Sequence, residues 1–299
     1  MTGDLDILVV GGTGVDHIVR VPLLPLPVRD SLTVPPNQSV VGHTGTGVAL
    51  GCAALGLRTA LVDVIGDDME GRLVQDRFAS AGVELATATH PSGTRRAVNL
   101  VTPDGSRMSL YDPRPPVVLS GDASLWREPV ARSRHVHVTI MGWATPALAD
   151  AVSAGRTTST DLHDWDGENP HHRAFALGAD LVFLSAAALG HTAAEVAAGI
   201  LRDGRAEAVV VTDGARGSAV YRRDESPLRV PAVSLPGRPV VDSNGAGDAY
   251  AAAYLFSRLA AASHPDAARA GAVAGAWACG SPGTHTGLVD EPTLRGLIG

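Results

Sequence analysis

The chain has 299 residues, 45% of them apolar, with 24 basic side chains against 31 acidic ones and a formal net charge of −7. Such a chain can bury a sizeable core, but it carries no basic face for nucleic acid or for an anionic membrane. It has no basic leader before its first apolar run and no 18-residue apolar stretch, so secretion and membrane spanning are not expected; Cys52 and Cys279, both among small apolar residues, read as reduced thiols of a cytoplasmic protein.

In chain order, Ile7-Leu8-Val9-Val10 predicts a buried parallel strand that opens into Gly11-Gly12-Thr13-Gly14. Asp16 follows at the rim where α/β sheets place ligands, although a turn or capping Asp has the same look. Residues 18–41 carry five prolines and no helical period, which reads as short strands and turns projecting from the main body. A second such stretch lies between Thr94 and Tyr111. There Ala97–Val101 and Met108–Tyr111 flank Pro103-Asp104-Gly105-Ser106, a hairpin signal. The two stretches, about 15–41 and 94–115, predict a small β-sheet lid on a single α/β domain spanning 1–299.

Between them, Gly42-His43-Thr44-Gly45-Thr46-Gly47, the Ala/Gly-rich run from Val48 to Leu57 and Thr59–Val64 read as loop, helix and strand. Gly45, Gly47 and Gly51, with Asp63 downstream, imitate a dinucleotide-binding fingerprint. The strand before them is weak and follows a proline-rich excursion, which counts against that reading. Gly66–Gly71 reads as the capped start of a helix that continues through Phe78. From Trp126 onwards, strands at 135–138, 157–162, 181–184 and 208–212 alternate with helices at 147–154 and 193–202. That alternation predicts a mostly parallel sheet covered on both faces. Asp161 ends one of these strands. Asp161, His163, Asp164, Asp166, His171 and His172 mix metal-ligand types, but in a loop without the fixed spacing of a zinc site. Thr212–Tyr221 reads as a strand end, a glycine turn and a second strand.

The stretch from Val240 to Leu259 is the most informative. Val240 and Val241 read as the end of a strand, Asp242–Gly247 as a small-residue turn, and the Ala-rich run after Asp248 as a helix. Backbone amides at Gly245, Ala246 and Gly247 would then sit at a helix N-terminus, unpartnered and at the positive end of the dipole, which suits an anion. Asp248, in the first turn, either complements the dipole or takes a proton from a hydroxyl attacking phosphorus; spacing alone leaves both readings open. Ala267–Cys279 reads as a further helix, followed by the turn Gly280–His285.

The segment Asp242–Asp248 resembles the Asp-Thr-x-Gly-Ala-Gly-Asp signature of the ribokinase (PfkB) family of sugar and nucleoside kinases, with Ser243 in place of Thr. The other motifs resemble the family in the same order: the first strand with Asp16, the glycine loop at 42–47 and a Thr-x-Gly-x-x-Gly turn at 212–217. The resemblance implies a three-layer αβα ribokinase-like fold, with a central mostly parallel sheet and a small β-sheet lid. It implies ATP-dependent phosphorylation of a hydroxyl on a small sugar or sugar-like substrate, with Asp248 as general base and the amides of Gly245, Ala246 and Gly247 as anion hole. It further implies that Asp16, Gly42, His43, Gly47 and Asp242 lie at the substrate. Thr212, Gly214, Gly217, Asn244, Gly283 and His285 would border the nucleotide, Asp161 would stand near Mg²⁺, and a monovalent cation such as K⁺ would lie by the 280–285 turn. A lid keeps water away from the transferring phosphoryl group, and in this family it often pairs with its twin in a homodimer.

Departures from the pattern fall on contacts. His43 stands where the family has Gly, and Gly47 where it has the Asn that grips the sugar. Ser185 and Ala188 replace an Asn-x-x-Glu that helps to organise Mg²⁺, leaving the ion to nucleotide phosphates and water. Three alternatives follow: a nucleoside kinase of the same fold, a ligand-binding homologue with weak transfer, and an NAD(P)-binding enzyme that uses residues 45–51.

Overall fold

In the computed structural model, which describes residues 4–103, 105–114, 123–163, 165–187 and 189–299, the chain builds two separate sheets. β1 (Leu5–Val10) leads to β2 (Gly14–Arg20) and, after an irregular stretch, β3 (Gln38–Gly42); α1 (Thr44–Ala54), β4 (Thr59–Ile65), α2 (Met69–Ser80) and β5 (Glu84–Thr89) follow. Next come the hairpin β6 (Arg96–Val101) and β7 (Arg107–Asp112), then α3 (Ser124–Arg132), β8 (Ser133–Val138), α4 (Thr145–Ser153), β9 (Thr157–Asp161) and α5 (Pro170–Gly178). The last third holds β10 (Leu181–Ser185), α6 (Ala193–Asp203), β11 (Ala208–Thr212), β12 (Ser218–Tyr221), β13 (Leu228–Val230), α7 (Ala246–Leu259), α8 (His264–Cys279) and α9 (Glu291–Ile298).

The large sheet has the order β13-β12-β11-β10-β9-β8-β1-β4-β5 and is parallel from β11 to β5; β12 and β13 are antiparallel. Side chains alternate across it. Leu8, Val10, Val182, Leu184, Val209 and Val211 enter one core with Trp126, Leu148, Phe175 and Ile200 from α3, α4, α5 and α6. Ile7, Val9, Leu181, Phe183 and Val210 enter the other with Val48, Phe78, Tyr254 and Ala268 from α1, α2, α7 and α8. The result is the expected three layers. With few aromatics available, the helices on the second face pack through Ala251, Ala252, Ala267 and Ala268, all at most 1% exposed. Among the described residues, no helix is long and apolar enough to cross a membrane.

The small sheet has the order β3-β2-β6-β7, with β2 and β6 parallel and the outer pairs antiparallel. A buried ion pair fixes its root. Arg95, immediately before β6, pairs with Asp63 of β4; the two side chains are 8% and 0% exposed. Asp63 also accepts hydrogen bonds from the amides of Thr13 (2.7 Å) and Val64 (2.6 Å). Beside it, Asp68 caps α2 through the Gly71 amide (2.8 Å) and accepts from Thr94 N (2.8 Å) and Thr94 Oγ1 (2.6 Å). Residues 94 and 95 thus tie the small sheet to the β4–α2 side of the large sheet.

Several expectations need correction. Val240 and Val241 form no strand: they are 77% and 52% exposed, and the amides of Val241 and Asp242 donate to the Cys279 carbonyl at the end of α8 (2.8 and 3.1 Å). That carbonyl takes the place of a neighbouring strand. α1 begins at Thr44, so Gly45 and Gly47 lie inside a helix, not in a loop. The region read as a loop before residue 181 contains α5, with Asn169 as N-cap and Pro170 at its first position, the residue pair that favours a helix start. Asp104 of the hairpin turn, Asp164, residue 115 of the expected lid and Ala188 lie outside the described residues.

β8 and β9 carry an unusual polar cluster. His135 shares hydrogen bonds with Thr157 Oγ1 (2.8 Å) and Ser159 Oγ (2.7 Å), and His137 with Ser159 Oγ (2.8 Å). Burial pushes His135 down to about 4 and His137 down to about 3, so both are neutral in the folded chain. The unfolded chain takes up protons from about pH 6.5 downwards. Their contribution to stability is therefore complete above that pH and is lost as pH falls through about 4. Denaturant unfolding at pH 7.5, 6.5, 5.5 and 5 should show stability falling by up to roughly 1.4 kcal/mol per pH unit for each His below about pH 6.5; a flat profile over that window contradicts neutral burial. Arg95→Met, which strands Asp63, should cost about 3–5 kcal/mol by the same measurement at pH 7.5.

Candidate active site

The candidate residues gather at the C-terminal ends of the parallel strands, the edge at which open α/β sheets bind ligands. The 242–248 segment is shaped from within. The Asp242 carboxylate accepts from the amides of Asn244 (3.0 Å) and Gly283 (3.1 Å), folding the turn and pinning it to the loop after α8. Asp242 was expected at the substrate; it is 8% exposed and serves as this internal clamp. Gly245 is left-handed (φ 76°) and is the N-cap of α7. The Ala246 amide donates to the Ser243 carbonyl (3.3 Å), so it is engaged in the turn, whereas the amides of Gly247 and Asp248 belong to the first helical turn and have no intrahelical partner. A Cβ built on Gly247 meets nothing within 4 Å, so an anion has open access there.

Asp248 stands on this turn with its side chain 16% exposed, and its Oδ2 lies 2.7 Å from His285 Nε2. His285, expected beside the nucleotide base, is instead buried against the carboxylate, with 1% of its side chain exposed. Its backbone is left-handed (φ 56°), which turns the ring inward from the 280–285 turn. Gly47, expected to touch substrate, faces the same pair across α1: a Cβ there would lie 2.3 Å from His285 Nε2 and 2.6 Å from Asp248 Oδ2. Asp161, at the end of β9, is near enough for charge coupling. Burial pushes its carboxyl up, His163 opposes this, and the Asp248 carboxylate adds to it. His163 in turn meets Thr44 Oγ1 at 3.1 Å.

A second His–Asp pair belongs to the small sheet. His43 Nε2 is 3.4 Å from Asp16 Oδ1, and the two side chains are 9% and 8% exposed. Burial pushes His43 below the usual imidazole range while Asp16 opposes it. His43 Nε2 is buried without a hydrogen-bond partner among the described residues. The Asp16 carboxylate rests on Gly42, where a Cβ would lie 2.0 Å from Oδ2. Tyr111 tilts over His43 with ring centroids 5.6 Å apart. Tyr111 and Arg107 are four apart on β7 and so share a face; Arg107 donates to Asn244 Oδ1 in the 242–248 segment. One end of β7 therefore covers the His43–Asp16 pair and the other reaches the 242–248 segment.

The turn after β11 is self-contained. Thr212 Oγ1 donates to the Leu184 carbonyl (3.3 Å), Asp213 N to the Gly217 carbonyl (2.7 Å) and Gly217 N to the Gly214 carbonyl (3.0 Å). Gly214 is left open on the surface, and Gly283 N is held by Asp242. Asp63 is wholly buried on Arg95 and α1 follows a strand of the small sheet, so the dinucleotide-binding reading of residues 45–51 lacks both its acid and its βαβ unit. A surface cavity of about 340 Å³ between β5 and α3, lined by Glu84, Thr87, Leu125 and Glu128, contains none of the candidate residues.

Arg95, Arg107 and Tyr111 join the site without having been singled out in the sequence as site residues, and His163 joins it through Thr44 and Asp161 and not as one of a metal-ligand set. For Arg107 and Tyr111 a signal existed: the period of two along the hairpin puts them on the Asp16 face once β2 pairs with β6 in register Asp16↔Ala97 and β6 with β7 in register Ala97↔Tyr111.

Residues 178–291 match the model of the pfkB family carbohydrate kinases. The chain is 46% identical to an acarbose 7(IV)-phosphotransferase of Actinoplanes sp. over 98% of both chains. It is 26% identical to a nucleoside kinase of Methanothermobacter thermautotrophicus over 97% of this chain and 94% of that one. Among solved structures, the microbiome-derived acarbose kinase Mak1 superposes with a TM-score of 0.93 at 61% identity, covering 98% of this chain and 99% of that one. An Arabidopsis thaliana ribokinase superposes with a TM-score of 0.82 at 20% identity, covering 100% and 99%, a likeness of fold.

Arg107→Ala removes the tie between β7 and the 242–248 segment. Hydrogen exchange should then speed up in β7 by roughly fivefold, as expected for a lost charge-assisted hydrogen bond at a partly exposed site; unchanged β7 protection means that the contact does not hold the hairpin.

Proposed function

The chain belongs to the pfkB family of carbohydrate kinases, and on that premise we propose that it transfers the γ-phosphoryl group of ATP to a hydroxyl of acarbose or a closely similar sugar-like acceptor. The observation that carries this is the Asp248 carboxylate on the first turn of α7, beside an open helix N-terminus, in a chain 46% and 61% identical to two acarbose kinases over nearly their whole length.

The acceptor hydroxyl hydrogen-bonds to the Asp248 carboxylate. As its oxygen bonds to the γ-phosphorus and the bond to the β-phosphate oxygen breaks, its proton passes to Asp248. Charge on the transferring group is met by the amides of Gly247 and Asp248 and by the α7 dipole. Of the three amides expected to form the anion hole, at Gly245, Ala246 and Gly247, that of Ala246 is engaged in the turn. Asp16 and the neutral His43 supply an acceptor and an imidazole for the hydroxyls of the sugar, with Tyr111 as a ring face over them. The small sheet acts as lid and excludes water.

Asp161 would stand at a Mg²⁺ bound with the nucleotide, which would supply charge neutralisation to the phosphates. Among the described residues, no group of three or more His, Cys, Asp or Glu is poised for a metal ion. The donors present suit Mg²⁺ nonetheless: it keeps most of its waters, and Asp161, held up by burial and the neighbouring Asp248, gains from a nearby cation.

The test is ATP-dependent transfer to acarbose, ribose, fructose and adenosine under one set of conditions. Acarbose should lead the others by at least about tenfold in kcat/KM, the discrimination that one or two placed contacts supply. A lead for adenosine instead makes the chain a nucleoside kinase, and no transfer to any of the four sinks the reading. Asp248→Asn should lower kcat by about 10²-fold or more, and unchanged turnover removes Asp248 from the role of base.

A further inference from the structure

We propose that His285 is the positioning residue of the transfer base. Its Nε2–H holds the Asp248 carboxylate in the one orientation that leaves the other oxygen, Oδ1, for the acceptor hydroxyl, and Gly47 is the clearance that admits it. The inference rests on the reading of Asp248 as base and adds how that base is aimed.

The hydrogen bond is short, 2.7 Å, and lies between side chains that are 1% and 16% exposed. The His285 tautomer follows from its surroundings. Nε2 faces a carboxylate, which only accepts. Nδ1 is buried with no hydrogen-bond partner among the described residues. A proton on Nδ1 would be a buried orphan donor, whereas a bare Nδ1 lone pair costs less, so Nε2 is the nitrogen that carries the proton donated to Asp248. Among the described residues no hydrogen bond reaches Asp248 Oδ1, so one carboxylate oxygen is fixed and the other is available.

The surroundings are shaped to hold this ring. Gly47 passes so close that any side chain there would occupy the hydrogen bond itself, 2.3 Å from Nε2 and 2.6 Å from Oδ2. Gly245 combines a left-handed backbone with a Cβ position 2.7 Å from His285 Cδ2, so it too must be Gly. His285 itself holds φ 56°, an uncommon conformation for a non-glycine residue. Three constrained backbone sites from α1, the α7 N-cap and the loop after α8 converge on one hydrogen bond. Packing alone would be met by an aliphatic side chain in place of the imidazole. At Gly47 the space a side chain would fill is left to the His285–Asp248 pair.

The test uses the full chain with ATP and acarbose, comparing His285→Gln, His285→Asn, His285→Ala, Asp248→Asn and the double variant Asp248→Asn/His285→Ala. The amide nitrogen of Gln reaches the place of Nε2, and that of Asn reaches only the place of Nδ1. His285→Ala should lower kcat by roughly 10–100-fold with both KM values within about threefold, the signature of a contact that acts in the transition state. His285→Gln should recover most of that loss and His285→Asn little of it, at matched melting temperatures. The double variant should be no slower than Asp248→Asn, because the two residues act as a unit. ¹⁵N–¹H spectra of the wild type should show His285 protonated at Nε2, a readout that needs no turnover.

Equal kcat for the Gln and Asn variants, or a rise in the KM for ATP with kcat unchanged, overturns the proposal and makes His285 a packing or nucleotide residue; an Nδ1-protonated ring overturns it as well. If Asp248→Asn turns over like the wild type, the base reading fails first, and that outcome is distinct from a failure of His285 alone.

Discussion

One buried carboxylate holds the two sheets in their mutual position. Asp63 is wholly enclosed, and a charge in that place is tolerated only because every side of it is answered: Arg95, the Thr13 amide and the Val64 amide all converge on it. Its partners come from the strap between β1 and β2, from β4 itself and from the residue before β6. Since Arg95 sets where β6 begins, it also sets the register of β2, β6 and β7. That register carries Tyr111 to His43 and Arg107 to Asn244. The geometry of the candidate site thus descends from a buried ion pair at the root of the small sheet.

The two His–Asp pairs look alike in composition and differ in physics. At 2.7 Å, His285 and Asp248 share a hydrogen bond. At 3.4 Å, with Nε2 unpartnered, His43 and Asp16 do not. The first pair is joined through Nε2 and leaves one carboxylate oxygen free, with His285 Nδ1 unpartnered among the described residues. The second has an unsatisfied imidazole nitrogen and a nearby carboxylate, which is what a polyhydroxylated ligand can complete. In the proposed reaction the large sheet holds the pair that handles the proton, and the small sheet the pair that handles the sugar.

Most of the architecture was legible in the sequence, because apolar runs of period two and alternating helices leave few ways to bury a parallel sheet. The Asp-Gly hairpin, the capped start of α2 and the turn into α7 were readable from local chemistry. What was not readable depended on chain segments far apart. Val240 and Val241 have strand-forming side chains, but the Cys279 carbonyl claims the backbone, and no strand lies beside it. His285 follows a Gly-Thr turn like any surface residue, and only the return of the chain after α8 brings it to Asp248, 37 positions earlier. Gly47 looked like a missing sugar contact; in the fold a Cβ there would meet His285 Nε2 and Asp248 Oδ2, which the chain brings together from far along the sequence. The helix after Pro170 is a different case: its Asn-Pro start is a local signal, but the mixed polar residues before it show no helical spacing and read as loop.

The small sheet is anchored very unevenly. Its root is clamped by Arg95, Thr94 and Asp68 in buried surroundings, while its far margin meets the rest of the chain through Arg107 on an exposed strand. A cantilever behaves in this way: the fixed end keeps its register while the tip travels. Opening by release of the tip leaves Asp16 and His43, which lie near the root, almost where they were, and displaces Arg107 most. In the proposed reaction, a ligand held by such a board would keep its contacts to Asp16 and His43 until last, so the phosphoryl end of the cleft would be first to meet solvent.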